Sequence, residues 1–393
     1  MTVSVTAKLR RLWFNIHLWL GVGLLVAVIP LGISGSALVW HDGLERALHP
    51  DRFAVSGPQL AKPLSAYVET ANTAFHGDAT LTQLRLPAEP GAPVVATGRI
   101  KGEPGPGGRP RSLNVWIDPP TAAPLGVAEG GSGLVPWLHR LHGTLLIPQI
   151  GRKVVGWLGW AMFISCATGL WLWWPRNGAV AKGLRWRRGP TTTFNLHHMV
   201  GFWICIPLAI ASLTGVYISF PQMSRALFGV APPEAARPAG AARPGGQGGG
   251  QGGQGGPGGR FAPPVERTAL TLDRAAALAL DGKVGAQLVS ISVPTRGKDP
   301  AWRVQIRPQG AKTPSTVQVV DATGVVKADR GGGGPDPLSR WMRRIHDGAD
   351  MGIVWQIVVF LGGLAPPLLG VTGLIMWLRS RKRRVALRPA PQT

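Results

Sequence analysis

Cysteine is almost absent from this chain. The 393 residues include two, Cys166 and Cys205. Both sit inside apolar runs, which argues against a disulfide framework and against a cysteine-based metal site. Acidic residues are scarce as well: 19 Asp and Glu stand against 42 Lys and Arg, a formal net charge of +23. The sequence has no His-Glu-x-x-His, so a metallohydrolase reading fails. No Gly-rich turn joins a strand pattern to a helix pattern, so nothing suggests NAD or FAD held within the chain. The Gly-rich stretch lacks the Lys and the Ser/Thr of a P-loop.

Long apolar runs are plentiful. Residues 18–40, 153–174, 199–220 and 353–378 each exceed the roughly 18 residues needed to cross a bilayer. The basic residues flank them. Lys8, Arg10 and Arg11 precede the first run. Arg176, Lys182, Arg185, Arg187 and Arg188 lie between the second and third, and Arg379, Arg381, Lys382, Arg383 and Arg384 follow the fourth. Short Lys/Arg-rich flanks stay in the cytoplasm, so both termini and the middle loop are expected there. The positive charge is thus read as membrane orientation, not nucleic-acid binding. The 16 tryptophans cluster at run ends as interfacial anchors against lipid. The N-terminus reads as an uncleaved anchor, because its apolar stretch is too long for a signal peptide.

The expected organisation in chain order is a cytoplasmic start and first span (1–40), an outer segment (41–136), an interfacial stretch and second span (137–175), and a basic loop (176–196). A third span (197–220), a second outer segment (221–345), a fourth span (346–378) and a basic tail (379–393) complete it. In the first outer segment a helix is expected over 64–75 and strands over 80–86, 93–100 and 111–117. Residues 101–110 read as a Gly/Pro loop and 118–120 as a turn. The second segment repeats the order, with a helix over 272–280 and strands over 286–293, 301–307 and 316–321. Residues 232–264 are Gly/Gln-rich and read as a flexible linker, and 331–334 as a hinge. Residues 134–150 are too polar to span and are placed in the interface.

The histidines carry a repeat. From His17 to Gly35 is 18 residues, as from His197 to Gly215; from His142 to Gly169 is 27, as from His346 to Gly373. The chain therefore reads as a tandem duplication of helix, outer domain, helix. Duplicated halves would put His17 and His197 at one depth near the cytoplasm, and His142 and His346 at another on the outer side. Paired neutral imidazoles on facing helices suit a six-coordinate haem iron. Gly21 and Gly201, one turn after His17 and His197, would let a flat macrocycle approach the backbone. Gly35, Gly169, Gly215 and Gly373 are given the same role at the opposite ends.

Several residues are secondary candidates. His198 is an alternative to His197, and His139, one turn before His142, is a second possible ligand. His41 would meet the outer haem edge or an acceptor, while His49 and His76 have weaker claims. Asp42, Glu45, Asp347 and Asp350 are expected at the outer mouth, where they would meet a cationic or iron-bearing substrate or be merely solvated.

The motifs His17-x-x-x-Gly21, Leu141-His142 ahead of Gly151-Arg152, Thr168-Gly169-Leu170-Trp171-Leu172-Trp173-Trp174-Pro175, Leu196-His197-x-x-x-Gly201, and Ile345-His346 ahead of Gly352 resemble the PepSY-associated transmembrane family. That family includes iron-regulated membrane proteins and ferric-siderophore reductases. The resemblance implies a four-transmembrane-helix bundle with two small α+β PepSY-like periplasmic domains in a bacterial inner membrane. It also implies b-type haem, two by the histidine count, and electron transfer to a periplasmic acceptor such as a ferric siderophore. No flavoprotein module is attached, so the donor would be a cytoplasmic flavoprotein or quinol. Two rivals remain. In one, a haem-free regulator uses its PepSY-like domains to bind a peptidase. The other is a transporter, disfavoured because the spans lack buried charge.

Overall fold

The computed structural model describes residues 5–102, 105, 110–174, 184, 189–227, 262–297, 299–311, 313–328 and 337–386. Most of the Gly/Pro loop at 101–110 and most of the basic loop at 176–188 lie outside the described residues, as do the Gly/Gln-rich stretch up to residue 261, the 331–334 hinge and the last seven residues. The chain divides into two units. One takes Met1–His41, Leu134–Val230 and Pro335–Thr393, and the other Asp42–Gly133 and Ala231–Gly334.

In chain order the helices are α1 (Val5–Val39), α2 (His41–Leu48), α3 (Leu64–Ala74), α4 (Leu134–Thr144), α5 (Gly151–Trp173), α6 (Thr192–Ser219), α7 (Pro221–Leu227), α8 (Leu272–Leu280), α9 (Pro337–Asp347) and α10 (Ile353–Ala386). The strands are β1 (Ala79–Arg85), β2 (Val94–Ile100), β3 (Ser112–Ile117), β4 (Pro124–Glu129), β5 (Gln287–Ser292), β6 (Ala301–Arg307), β7 (Ser315–Val320) and β8 (Val326–Ala328).

Among the described residues four helices are long and apolar enough to cross a membrane: Val5–Val39, Gly151–Trp173, Thr192–Ser219 and Ile353–Lys382. Helix α1 begins 13 residues before the first apolar run, because Lys8, Arg10 and Arg11 are good helix formers and nothing breaks the helix there. As a result His17 lies well inside α1, and His197 is six residues into α6. His142 and His346 are carried instead by short separate helices, α4 and α9, ahead of α5 and α10. Both short helices end in left-handed backbone. Leu145, Leu146 and Gln149 have φ of 50°, 59° and 59°, and Gly348, Asp350 and Gly352 have φ of 77°, 57° and 84°. For non-glycine residues this conformation costs about 1–2 kcal/mol each. It reverses the chain between the short helix and the span.

In the helical unit, α1 packs on α10 and α5, and α6 packs on α5 and α10. The four spans thus close a ring, with α1 and α6 at opposite corners. Helix α4 lies on α1 and α5, and α9 lies on α6 and α10. The α1–α10 crossing is close because small residues line it. A Cβ at Gly32 would strike the Gly363 carbonyl, a Cβ at Gly363 would strike the Ser36 hydroxyl, and Ser36 Oγ donates to the Phe360 carbonyl at 2.8 Å. Small residues at helix contacts are how spans approach without a hydrophobic driving force.

Among the described residues the second unit holds one antiparallel sheet of eight strands in the order β4-β3-β2-β1-β5-β6-β7-β8. The sequence had suggested a sheet for each outer segment. Instead β1 pairs with β5, Leu84 opposite Ile291, so two open edges close on each other. Strands β4 and β8 were not anticipated; β4 begins with Pro and contains Gly, and β8 spans three residues. Helices α3 and α8 cover one core, with Tyr67, Ala71, Phe75, Leu84, Val94 and Ile117 from the first segment and Ala275, Ala279, Ile291, Val304, Ile306 and Val319 from the second. Asp273 of α8 accepts from the backbone N–H of Leu64 and Ser65 at 2.8 and 3.1 Å, capping α3.

Each segment also closes on a buried aspartate. Asp118 accepts from Ser56 N and Oγ and from Thr121 Oγ1. Asp321 accepts from Ala269 N, Leu270 N and the Trp302 indole at 2.8, 3.1 and 2.8 Å. Asp321→Ala strands three donors, two of them backbone, and is expected to destabilise this unit by about 2–4 kcal/mol. Hydrogen exchange should read this as faster exchange across β6 and β7, with Asp321→Asn recovering part of the protection.

Candidate cofactor site

Four imidazoles are held in the same way. His17 Nδ1 lies 3.1 Å from the Ser165 carbonyl and 3.1 Å from Thr168 Oγ1. His346 Nδ1 lies 3.0 Å from both the Ala211 carbonyl and Thr214 Oγ1. His142 Nδ1 lies 2.9 Å from the Leu31 carbonyl. His197 Nδ1 lies 2.9 Å from Thr372 Oγ1 and hydrogen-bonds to the Leu369 backbone. In every case the backbone partner stands four residues before a glycine, and the residue just before that glycine is a buried Ser or Thr: Ser34, Thr168, Thr214 or Thr372. A carbonyl only accepts, so each Nδ1 carries the proton and each Nε2 keeps its lone pair. This is the tautomer a metal-bound imidazole uses, with its second nitrogen tied to a carbonyl.

The glycines make room for these rings. A Cβ at Gly35 would stand 2.7 Å from His142 Cε1, at Gly169 3.0 Å from His17, at Gly215 3.1 Å from His346, and at Gly373 3.3 Å from His197. This corrects the role given to them from sequence. Gly35, Gly169, Gly215 and Gly373 admit an imidazole from another helix, not a macrocycle. Gly21 and Gly201 keep open surroundings. No atom would meet a Cβ at Gly21 within 4 Å, and at Gly201 only Leu369 Cδ2 would, at 3.8 Å.

The four rings form two facing pairs. His17 and His197 have ring centroids 6.4 Å apart at 83°, and His142 and His346 are 6.0 Å apart at 47°. The first pair comes from α1 and α6, the opposite corners of the ring of spans. Two imidazoles that face each other across one metal hold their ring centres about 6 Å apart, since each metal–nitrogen bond is about 2 Å. That spacing also suits a plain edge-to-face ring contact, but such a contact needs neither a fixed tautomer nor rings brought from opposite corners. Among the described residues no three metal-ligating side chains converge. Each pair offers two imidazole donors that face each other across about 6 Å.

Outside the spans, burial and the charge of His346 push the His142 ring down to about 4, against the opposing Leu31 carbonyl. Burial likewise lowers His346. Burial raises the Asp347 carboxyl, against the pull of Arg343, His139, His142 and His41. His198 does not join His17. It stacks on Phe194 at 5.4 Å and 15°, beside Trp173, which stacks on Phe202 at 4.0 Å. This aromatic column was missed from sequence. His41 and His139 come together, with centroids 6.1 Å apart. His49 and Arg52 lie 4.0 Å from Glu45, and Arg344 donates to the Asp350 carbonyl. Cys205 Sγ donates to the Cys166 carbonyl at 3.2 Å, and both thiols are buried.

The fold and its histidines define a multi-pass membrane protein with two imidazole pairs. A family model for the PepSY-associated TM region matches residues 14–380, and the chain belongs to that family. A search of curated proteins finds no match.

The His142 ring gives a pH dependence with a definite sign. Its folded value lies below the ordinary 6.5, so the unfolded chain binds the proton first. Its contribution is present above pH 6.5 and fades as pH falls from 6.5 towards 4. Asp347 acts oppositely, since a raised carboxyl stabilises as pH falls. The difference between the unfolding midpoints of the parent chain and His142→Gln, followed against pH in detergent, should therefore shrink across that window.

Proposed function

We propose that the chain is a b-type dihaem cytochrome of a bacterial inner membrane, an oxidoreductase that delivers electrons to a periplasmic acceptor. The observation that carries this reading is the set of four Nδ1-tethered imidazoles in two facing pairs. His17 and His197 would hold one haem and His142 and His346 the other. A haem bound in each pair supplies a one-electron carrier, and two at different depths divide a hydrocarbon core of about 30 Å into shorter steps. The protein's part is to fix both imidazoles, keep Nε2 unprotonated and keep water from the rings. The flanking basic residues support cytoplasmic termini, and the sheet unit with its two equivalent helix-and-strand sets would stand in the periplasm as paired PepSY-like domains. The repeated tether in α1, α5, α6 and α10 supports an origin by tandem duplication.

The family resemblance favours a ferric siderophore as acceptor, because reduction to ferrous iron loosens a chelate built for ferric iron. The electron donor would be a cytoplasmic flavoprotein or a quinol. Outer-sphere transfer needs contact at a haem edge and a docking surface, so no acid–base pair is required.

The purified chain in detergent should give a b-type reduced-minus-oxidised spectrum with about two haems per chain. His17→Ala or His346→Ala should each lower that to about one, and Gly169→Leu should act like His17→Ala by denying the ring its seat. Reduction of a ferric siderophore by the dithionite-reduced chain then tests the acceptor. A folded, haem-free chain that tolerates loss of all four histidines would sink the proposal and leave a peptidase-binding regulator as the reading to pursue.

A further inference from the structure

A third imidazole pair lies in the same helical unit. His41, where α1 gives way to α2, and His139 on α4 have ring centroids 6.1 Å apart at 78°, close to the 6.4 Å and 83° of His17 and His197. Here too Nδ1 is committed to a carbonyl: Leu38 for His41 at 3.0 Å and Val135 for His139 at 3.1 Å. The same argument gives each ring a proton on Nδ1 and a lone pair on Nε2. The pair differs from the other two in its surroundings. Its carbonyl partners lie on the histidines' own chain segment, among the described residues no glycine seats the rings, His139 is exposed and His41 half-buried. It is a pair that solutes reach.

We propose that His41 and His139 bind a divalent transition-metal ion, with coordination positions left open to water or to a chelator. Imidazole selects borderline ions such as Fe, Cu, Ni and Zn over Mg and Ca. Among the described residues no third ligating side chain joins them, and two protein ligands hold an ion in transit where a closed cage would retain it. His139 stands three residues before His142 on α4, so the site adjoins the outer imidazole pair. If the electron-transfer reading holds, and this consequence rests on it, the ion bound there is the one freed when the acceptor's chelate is reduced, since ferrous iron takes imidazole more readily than ferric iron does.

The test uses the full chain, oxidised, in detergent, with an affinity tag free of histidine and Cu2+ as the probe. One equivalent of Cu2+ should bind with the electron paramagnetic resonance pattern of two nitrogen ligands. His41→Ala and His139→Ala should each weaken binding by at least about tenfold. His76→Ala, an exposed histidine of the sheet unit, should leave it unchanged. Haem is counted on the same samples, so the two readings fail separately. Two haems with no Cu2+ bound removes the site alone, and Cu2+ bound without haem removes the electron path alone. Binding indifferent to both variants, or a haem lost in His139→Ala, overturns the proposal. The latter would make His139 a part of the outer pair.

Discussion

The helical unit depends on one interaction: an imidazole N–H donated across helices to a carbonyl four residues before a glycine. A backbone carbonyl inside a span is normally committed to its own helix. At Ser165, Leu31, Ala211 and Leu369 it also serves a histidine from elsewhere. Glycine permits this by removing the side chain that would fill the gap, and the preceding Ser or Thr bonds back to its own helix at the same turn. The result is a neutral ring of fixed tautomer in an apolar setting. A charged imidazolium would be costly there, and a free-spinning ring would not hold a ligand geometry.

Much of this was visible in the sequence, though with the wrong geometry attached. The Ser/Thr–Gly pairs and the equal His-to-Gly spacings were plain, and so were the four histidines. Their spacing suggested a His and a Gly at opposite ends of a span, with the glycine making room for a macrocycle. The contacts run otherwise, because spacing along a chain does not report which helices become neighbours. His17 meets Gly169, 152 positions away, and never meets Gly35. The short helix α9 with its Asp347 turn, and the early start of α1 at Val5, were equally hidden. Hydropathy marks where a helix is apolar, not where it is continuous.

The sheet unit shows the same limit. Strand patterns over 80–86, 93–100 and 111–117 were readable, and so were their counterparts in the second segment. The β1–β5 pairing was not, because an edge strand's partner depends on which other edge is left open. Asp273 capping α3 and the merged core of α3 and α8 are consequences of that pairing. Asp118 looked like a turn residue and Asp321 like the end of a strand; burial and three accepted hydrogen bonds each make them anchors.

The tethers and the pairs obey different rules of connection, and that difference constrains how the site is assembled. His17 on α1 is seated by α5 and His142 on α4 by α1, so the first half of the chain seats both of its own histidines. His197 on α6 is seated by α10 and His346 on α9 by α6, so the second half does likewise. The pairs cross the halves: His17 faces His197, and His142 faces His346. Each half therefore fixes the direction of two lone pairs by itself, and neither completes a pair until the other packs against it through the small residues of α1 and α10. A group held between facing imidazoles would join the halves at both levels, adding its binding free energy to a helix interface that has only packing and a few hydrogen bonds to hold it.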